Sequence, residues 1–246
     1  MRVLVVDDET LARSILIEHL AQVPDVEVVG QAANGFEAVK LAEELNPDLL
    51  FLDIQMPKLS GFEVLELLAE RAPAVVFTTA FDEFALRAFE VHAVDYLLKP
   101  VEPARLAAAV ERAAERLRIR APQPSPQELA AAARPPGKRL ERVLIRHEGR
   151  VHVLPLERID YVEAQDDYLS FASGGKHLRK QQTMSELETQ LDPSRFVRIH
   201  RSFILNIERL ARIDLYGKDS WLAILTDGSK LPMSRTGHAK LKELIG

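Results

Sequence analysis

Cysteine is absent from these 246 residues, and tryptophan occurs once. Disulfides, thiolate metal sites and cysteine nucleophiles are thereby excluded. No apolar run approaches the ~20 residues that a membrane-spanning helix needs. The opening MRVLVVDDE passes from a strand-like run straight into acids, unlike a secretory leader. A soluble, cytoplasmic protein is expected. The length suffices for two domains, each with its own core. The formal net charge of −5 conceals an asymmetry: residues 1–118 carry −10, residues 119–137 carry +1 and residues 138–246 carry +4. An acidic front joined to a basic back suggests a switch or enzyme followed by a polyanion-binding surface, although +4 alone is also ordinary scatter.

The first part repeats one pattern. RVLVV, VEVVG, LLFLD, AVVFTTA and AVDYLL are short Val/Leu-rich runs, and each is followed by residues with helical periodicity: Leu11 to Leu20, Phe36 to Leu45, Phe62 to Leu68, Phe84 to Val91 and Leu106 to Leu117. Strands buried on both faces and alternating with helices predict a doubly wound, parallel α/β domain. Ligands in such sheets gather at the carboxyl ends of the strands, and the polar residues lie there. Asp7, Asp8 and Glu9 follow the first strand, Asp53 ends the third, Thr78 and Thr79 end the fourth, and Lys99-Pro100 follows the fifth.

Carboxylates packed together repel unless a cation sits among them, and oxygen ligands favour a hard ion such as Mg²⁺. A carboxylate, a hydroxyl and an ammonium around such an ion suit phosphoryl transfer, with Asp53 placed as nucleophile. Each residue also has a plainer reading: Asp7-Asp8-Glu9 as an acidic helix cap, Thr79 as a hydroxyl bonded to backbone, Lys99 as a solvated surface lysine. Their convergence on one rim favours the chemical reading.

DDE after the first strand, LDIQMPKLSGFEVL, TTA and YLLKP together resemble the receiver domain of two-component response regulators, over about residues 1–120. The resemblance implies a flavodoxin-like sheet of strand order 2-1-3-4-5. It implies Asp53 as phosphoacceptor, with Mg²⁺ held by Asp8, Asp53 and the backbone carbonyl of Gln55, and Asp7 and Glu9 in support. It further implies Thr79, Tyr96 and Lys99 as the switch residues.

Residues 121–137 form a connector rich in proline and alanine. From Lys138 the period becomes two. RVLIRHEGRVHVLPL, IDYVEAQDDYLSF and LARIDLYGKDSWLAILTDGSKLPM predict a mostly antiparallel β domain over residues 138–246, with turns at Glu148-Gly149, Gly217 and Asp227-Gly228. Two short helices are expected, one after Thr183 with Met184, Leu187 and Leu191 on one face, the other around Lys240 to Leu244. Basic residues gather as Arg195, Arg198, His200 and Arg201, with Lys218 in a turn and Arg235 after the last strand. For each, a solvated position or a surface ion pair worth ~0–1 kcal/mol is the plainer alternative. His200 is as well read as a locally bonded structural histidine.

IDYVEAQDDYLSF, RFVRIHRSFILNIERL and DGSKLPMSR resemble the LytTR DNA-binding domain, over about residues 139–246. That family inserts loop residues into successive major grooves. The resemblance implies His200 and Arg235 as base readers, Lys218 as a loop contact and Arg201 as a phosphate or base contact. Where the family often carries arginine before the first short helix, this chain has Gln181, with Arg179 and Lys180 beside it.

The combined expectation is a response regulator that is phosphorylated on Asp53 by a sensor histidine kinase, dimerises, and binds double-stranded promoter DNA. It is not expected to act as a turnover enzyme. A metal-dependent phosphatase would want a second acid where Gln55 stands. A signalling scaffold whose β domain binds protein is the other alternative.

Overall fold

The computed structural model describes residues 1–68, 72–81, 88, 92–119, 140–147, 150–216 and 220–245. The chain divides into two compact units, Met1–Pro136 and Gly137–Gly246. The connector at 121–137, the turns at Glu148-Gly149 and at Gly217 with Lys218, and the Phe84 to Val91 run apart from Ala88 lie outside the described residues.

In the first unit, β1 (Arg2–Val6), β2 (Glu27–Ala32), β3 (Leu49–Asp53), β4 (Ala74–Thr79) and β5 (Asp95–Leu98) form one parallel sheet of order β2-β1-β3-β4-β5. This is the expected doubly wound sheet. The helices with bounds among the described residues are α1 (Thr10–Leu20), α2 (Gly35–Leu45), α3 (Gly61–Leu68) and α4 (Pro103–Arg118). Every residue of β3 is buried, because both sheet faces are covered. On one face Val3, Val5, Phe51, Val76 and Leu97 pack with Leu16, Leu20, Leu106 and Val110 from α1 and α4. Phe62 of α3 meets Phe77 with ring centroids 4.7 Å apart. Ser60 and Glu63 cap α3 reciprocally: the Ser60 N–H donates to Glu63 Oε2 at 2.9 Å and the Glu63 N–H to Ser60 Oγ at 3.3 Å. That cap starts the helix directly beneath the end of β3, where the Gly61 N–H donates to the Ile54 carbonyl at 2.9 Å.

The second unit is mostly antiparallel β. Its strands are β6 (Arg142–His147), β7 (Arg150–Pro155), β8 (Tyr161–Gln165), β9 (Tyr168–Ser173), β10 (Lys176–Gln181), β11 (Phe196–His200), β12 (Phe203–Asn206), β13 (Leu210–Leu215), β14 (Trp221–Leu225) and β15 (Lys230–Met233). They build sheets of order β10-β9-β8-β12-β11, β13-β14-β15 and β6-β7. Helix α5 (Met184–Gln190) begins at a capping box of Thr183 and Glu186 and buries Met184 and Leu187. Asn206 is fully buried and acts as a hub. Its Nδ2 donates to the Ile159 carbonyl at 2.7 Å and its Oδ1 accepts the Glu208 N–H at 3.1 Å.

The last helix, α6, differs from expectation. It spans Arg235–Ile245 rather than starting near Lys240, so Arg235 opens a helix instead of trailing a strand. Ser234 caps it by accepting the Gly237 N–H at 3.0 Å. Gly237 hid the start, since glycine disfavours helix interiors. Only glycine fits there: a Cβ would lie 2.0 Å from the Ile199 carbonyl oxygen.

Candidate functional site

The parallel register brings the strand ends together. Lys99 Nζ lies 2.7 Å from Asp7 Oδ2 and 2.9 Å from Asp53 Oδ2, joining the ends of β1, β3 and β5. Asp7 and Asp53 are buried, Asp8 is exposed, and ligand atoms of all three lie within 4.8 Å of one another. The plainer reading of Lys99 as a solvated lysine therefore fails, with only 17% of its side chain exposed. Burial alone would lower the Lys99 pKa, but its bonds to Asp7 and Asp53 outweigh burial and raise it. For Asp53 burial dominates and raises the pKa, against the opposing pull of Lys99 and of the Gln55 N–H. That N–H donates to Asp53 Oδ1 at 3.2 Å, which places Gln55 beside the carboxylate.

Helix capping does not account for the acids. The α1 N-cap is Glu9, whose side chain makes no cap hydrogen bond, and the first turn of α1 holds no acid. Glu9 enters the site through its backbone, donating N–H to Asp7 Oδ1 at 3.0 Å, while its carboxylate lies outside the group of three. Three carboxylates around one ammonium leave an excess of negative charge, a donor set that fits a hard divalent cation.

Two of the switch residues, Thr79 and Tyr96, bond to the backbone of one residue, Phe81, that sequence reasoning did not single out. Phe81 donates its N–H to Thr79 Oγ1 at 3.3 Å, and its carbonyl accepts from the Tyr96 hydroxyl. Thr79 is thus buried and backbone-bonded, as its plainer reading held, and through that bond it is linked to Tyr96. Gly61 reads in the sequence as a turn marker after the third strand, and its packing role was missed. A Cβ there would come within 2.5 Å of the Asp53 carbonyl oxygen, so α3 packs against the backbone of the nucleophile strand.

In the second unit the expected basic cluster separates into two kinds. Arg195 pairs with Glu208 at 3.2 Å and Arg198 with Glu188 at 3.0 Å, so these two follow the ion-pair alternative. His200, Arg201, Ser234, Thr236 and Lys240, together with Arg198, line an open recess of about 380 Å³. Two bonds bring this about: the Ser234 N–H donates to the Ile199 carbonyl at 2.8 Å and Ser234 Oγ donates to the same oxygen at 3.1 Å. The end of β11 and the start of α6, with exposed Arg235, are thereby held side by side. Trp221 pairs with Met233 across β14 and β15. Lys218 itself lies outside the described residues. Arg179, Lys180 and Gln181 lie on β10, the far edge of the five-stranded sheet from β11.

Residues 3–111 match the family model of the response regulator receiver domain, and residues 149–246 match that of the LytTr DNA-binding domain. The sensory transduction protein LytT of Enterococcus faecalis is 35% identical over 248 residues, covering 100% of this chain and 99% of that protein. The chain belongs to the LytTR-type response regulators. The transcriptional regulatory protein BtsR of Salmonella typhi is 38% identical to this response regulator over 249 residues, covering 100% of the chain and 99% of that protein. The response regulatory domain of protein mrkE from Klebsiella pneumoniae aligns at 31% identity over 48% of the chain and 99% of its own, with a TM-score of 0.45. The regulator thus pairs a receiver domain with a LytTR DNA-binding domain, and none of its described helices is long and apolar enough to cross a membrane.

Proposed function

We propose that this regulator is a phosphorylation-controlled transcription factor of the cytoplasm. A sensor histidine kinase supplies a phosphoryl group to Asp53, and the second domain binds double-stranded promoter DNA. The observation that carries the first half is Lys99 Nζ bridging Asp7 and Asp53 inside a group of three carboxylates.

Asp53 attacks phosphorus through a carboxylate oxygen. The new O–P bond forms as the N–P bond of the kinase phosphohistidine breaks, and the imidazole keeps the electron pair. Lys99 holds Asp53 in place and then offers its ammonium to the transferred oxygens. The Gln55 N–H orients the second carboxylate oxygen. Asp8, Asp53 and the Gln55 carbonyl, with Asp7 behind them, would hold Mg²⁺, which when bound neutralises charge on the transferred group. Thr79 Oγ1 donates to a phosphoryl oxygen in the modified state. The Phe81 backbone carries that change to Tyr96, because its N–H donates to the Thr79 hydroxyl and its carbonyl accepts from the Tyr96 hydroxyl. Paired receivers then bring two DNA-binding domains onto neighbouring half-sites, gaining avidity. The receiver catalyses its own phosphorylation and hydrolysis only, and is not a turnover enzyme.

Acetyl phosphate with Mg²⁺ should label the wild-type protein at one site and leave Asp53→Asn unlabelled. A mutant labelled to the same stoichiometry would refute the assignment. DNA binding should fall steeply with salt, by the release of counterions from neutralised phosphates.

A further inference from the structure

Glu188 is a carboxylate on the margin of a surface that is otherwise basic. It sits on α5, where its Oε2 accepts Arg198 Nη1 at 3.0 Å and its Oε1 lies 3.7 Å from Lys240 Nζ. The same Arg198 Nη1 reaches Ser185 Oγ at 3.4 Å, and Nη2 donates to the Arg201 carbonyl at 3.1 Å. One planar guanidinium therefore spans from helix α5 to the turn after β11, a geometry that a fork of fixed donors supports and a point charge does not. That turn is tied down elsewhere as well. The Ala164 N–H of β8 donates to the Ser202 carbonyl at 2.9 Å, and the Phe203 ring lies 6.0 Å from the His200 ring.

The turn also sets the chemistry of His200. The Ser202 N–H, which can only donate, points at His200 Nδ1 from 3.2 Å. Nδ1 is therefore the acceptor and the proton of the neutral ring is on Nε2. His200 offers the recess a single N–H donor, which suits an acceptor on DNA such as a purine N7, guanine O6 or a phosphate oxygen.

We propose that Glu188 and Arg198 are positioning residues for DNA recognition, forming a brace from α5 that holds the His200–Ser202 turn with Nε2–H and Arg201 facing the DNA. The proposal rests on the reading of this domain as DNA-binding. It reverses the sign that electrostatics alone assigns. Removing a carboxylate from a polyanion-binding face should tighten binding, whereas loosening the brace weakens specific binding.

The test uses the full-length protein and duplexes that the wild type has selected from a random pool. Binding is followed by fluorescence anisotropy against selected and scrambled duplexes across a salt titration. Glu188→Gln should lose about tenfold or more in affinity for the selected duplex, the range for a misplaced base reader. Its affinity for scrambled duplex should not fall, since a carboxylate is removed from that face, and its salt slope should stay the same, since no phosphate contact is lost. Arg198→Ala should lose affinity for the selected duplex in the same way, and the double variant should be no worse than Arg198→Ala alone. Arg198→Lys keeps the charge without the fork and should not rescue specificity. Arg201→Ala provides the contrast if it touches phosphate, with a salt slope shallower by about one. Selected-site binding by Glu188→Gln at or above wild-type strength, additive losses in the double variant, or full rescue by Arg198→Lys would each overturn the brace. A wild-type protein that shows no salt-dependent duplex binding would overturn the DNA reading itself, and the brace with it.

Discussion

Replacing Gly237 by alanine tests how tightly the last helix is seated. The added Cβ would lie 2.0 Å from the Ile199 carbonyl oxygen, 2.4 Å from its carbon and 2.6 Å from its Cα. All three are backbone atoms of β11, so no rotamer change relieves the clash. Ordinary contact requires the helix to recede by about 1 Å or more. Such a shift breaks what holds α6 in place, because Ser234 donates to that same oxygen from both N and Oγ. Overpacking costs about 1–3 kcal/mol and the two hydrogen bonds about 1 kcal/mol each. Better helix propensity returns about 1 kcal/mol. A net loss of about 2–4 kcal/mol is expected, a large share of the 5–15 kcal/mol typical of a domain. Trp221, the only tryptophan, stacks on His238 of this helix at 4.0 Å, so its fluorescence reports the change directly. In urea its unfolding midpoint should fall markedly. A midpoint at or above wild type, as helix propensity alone would give, would refute the packing argument.

Two further predictions concern the receiver. Burial raises the Asp53 pKa above its ordinary 3.8, so the folded form holds this proton to higher pH than the unfolded chain does. The Asp53 contribution to stability is fully present below that value and is lost as pH rises through the raised one. With chelator present, the stability of Asp53→Asn relative to wild type should therefore climb with pH over that interval, and a constant difference in paired denaturant titrations would reject the assignment. Gly61→Ala should cost about 1–3 kcal/mol by pressing on the Asp53 carbonyl, and should slow labelling by acetyl phosphate although no reactive group is removed. Wild-type labelling kinetics at wild-type stability would show that the close approach is unimportant.

Local pattern was enough for much of this protein. The alternation of apolar runs with helical periodicity predicts the parallel sheet, because strands covered on both faces must be apolar throughout. The placement of Asp7, Asp53, Thr79 and Lys99 just past strand ends predicts a shared pocket, because parallel strands all end on one side. The period of two after Lys138 predicts the β domain in the same way, and Met184, Leu187 and Leu191 mark the buried face of a helix by spacing alone.

What the sequence by itself determined was therefore the kind of each element and the chemistry carried at its ends. Which charges meet was decided only by the tertiary structure. Periodicity does not distinguish Arg198, bound to Glu188 and paired with Ile204 across β11 and β12, from Arg201, exposed one residue after the end of β11. Nor does it reveal that Gly237 is required by a backbone 38 positions away in sequence, at Ile199. Both depend on elements remote in the chain coming within a few ångströms, where ion pairing and steric exclusion act over shorter distances than any local pattern records.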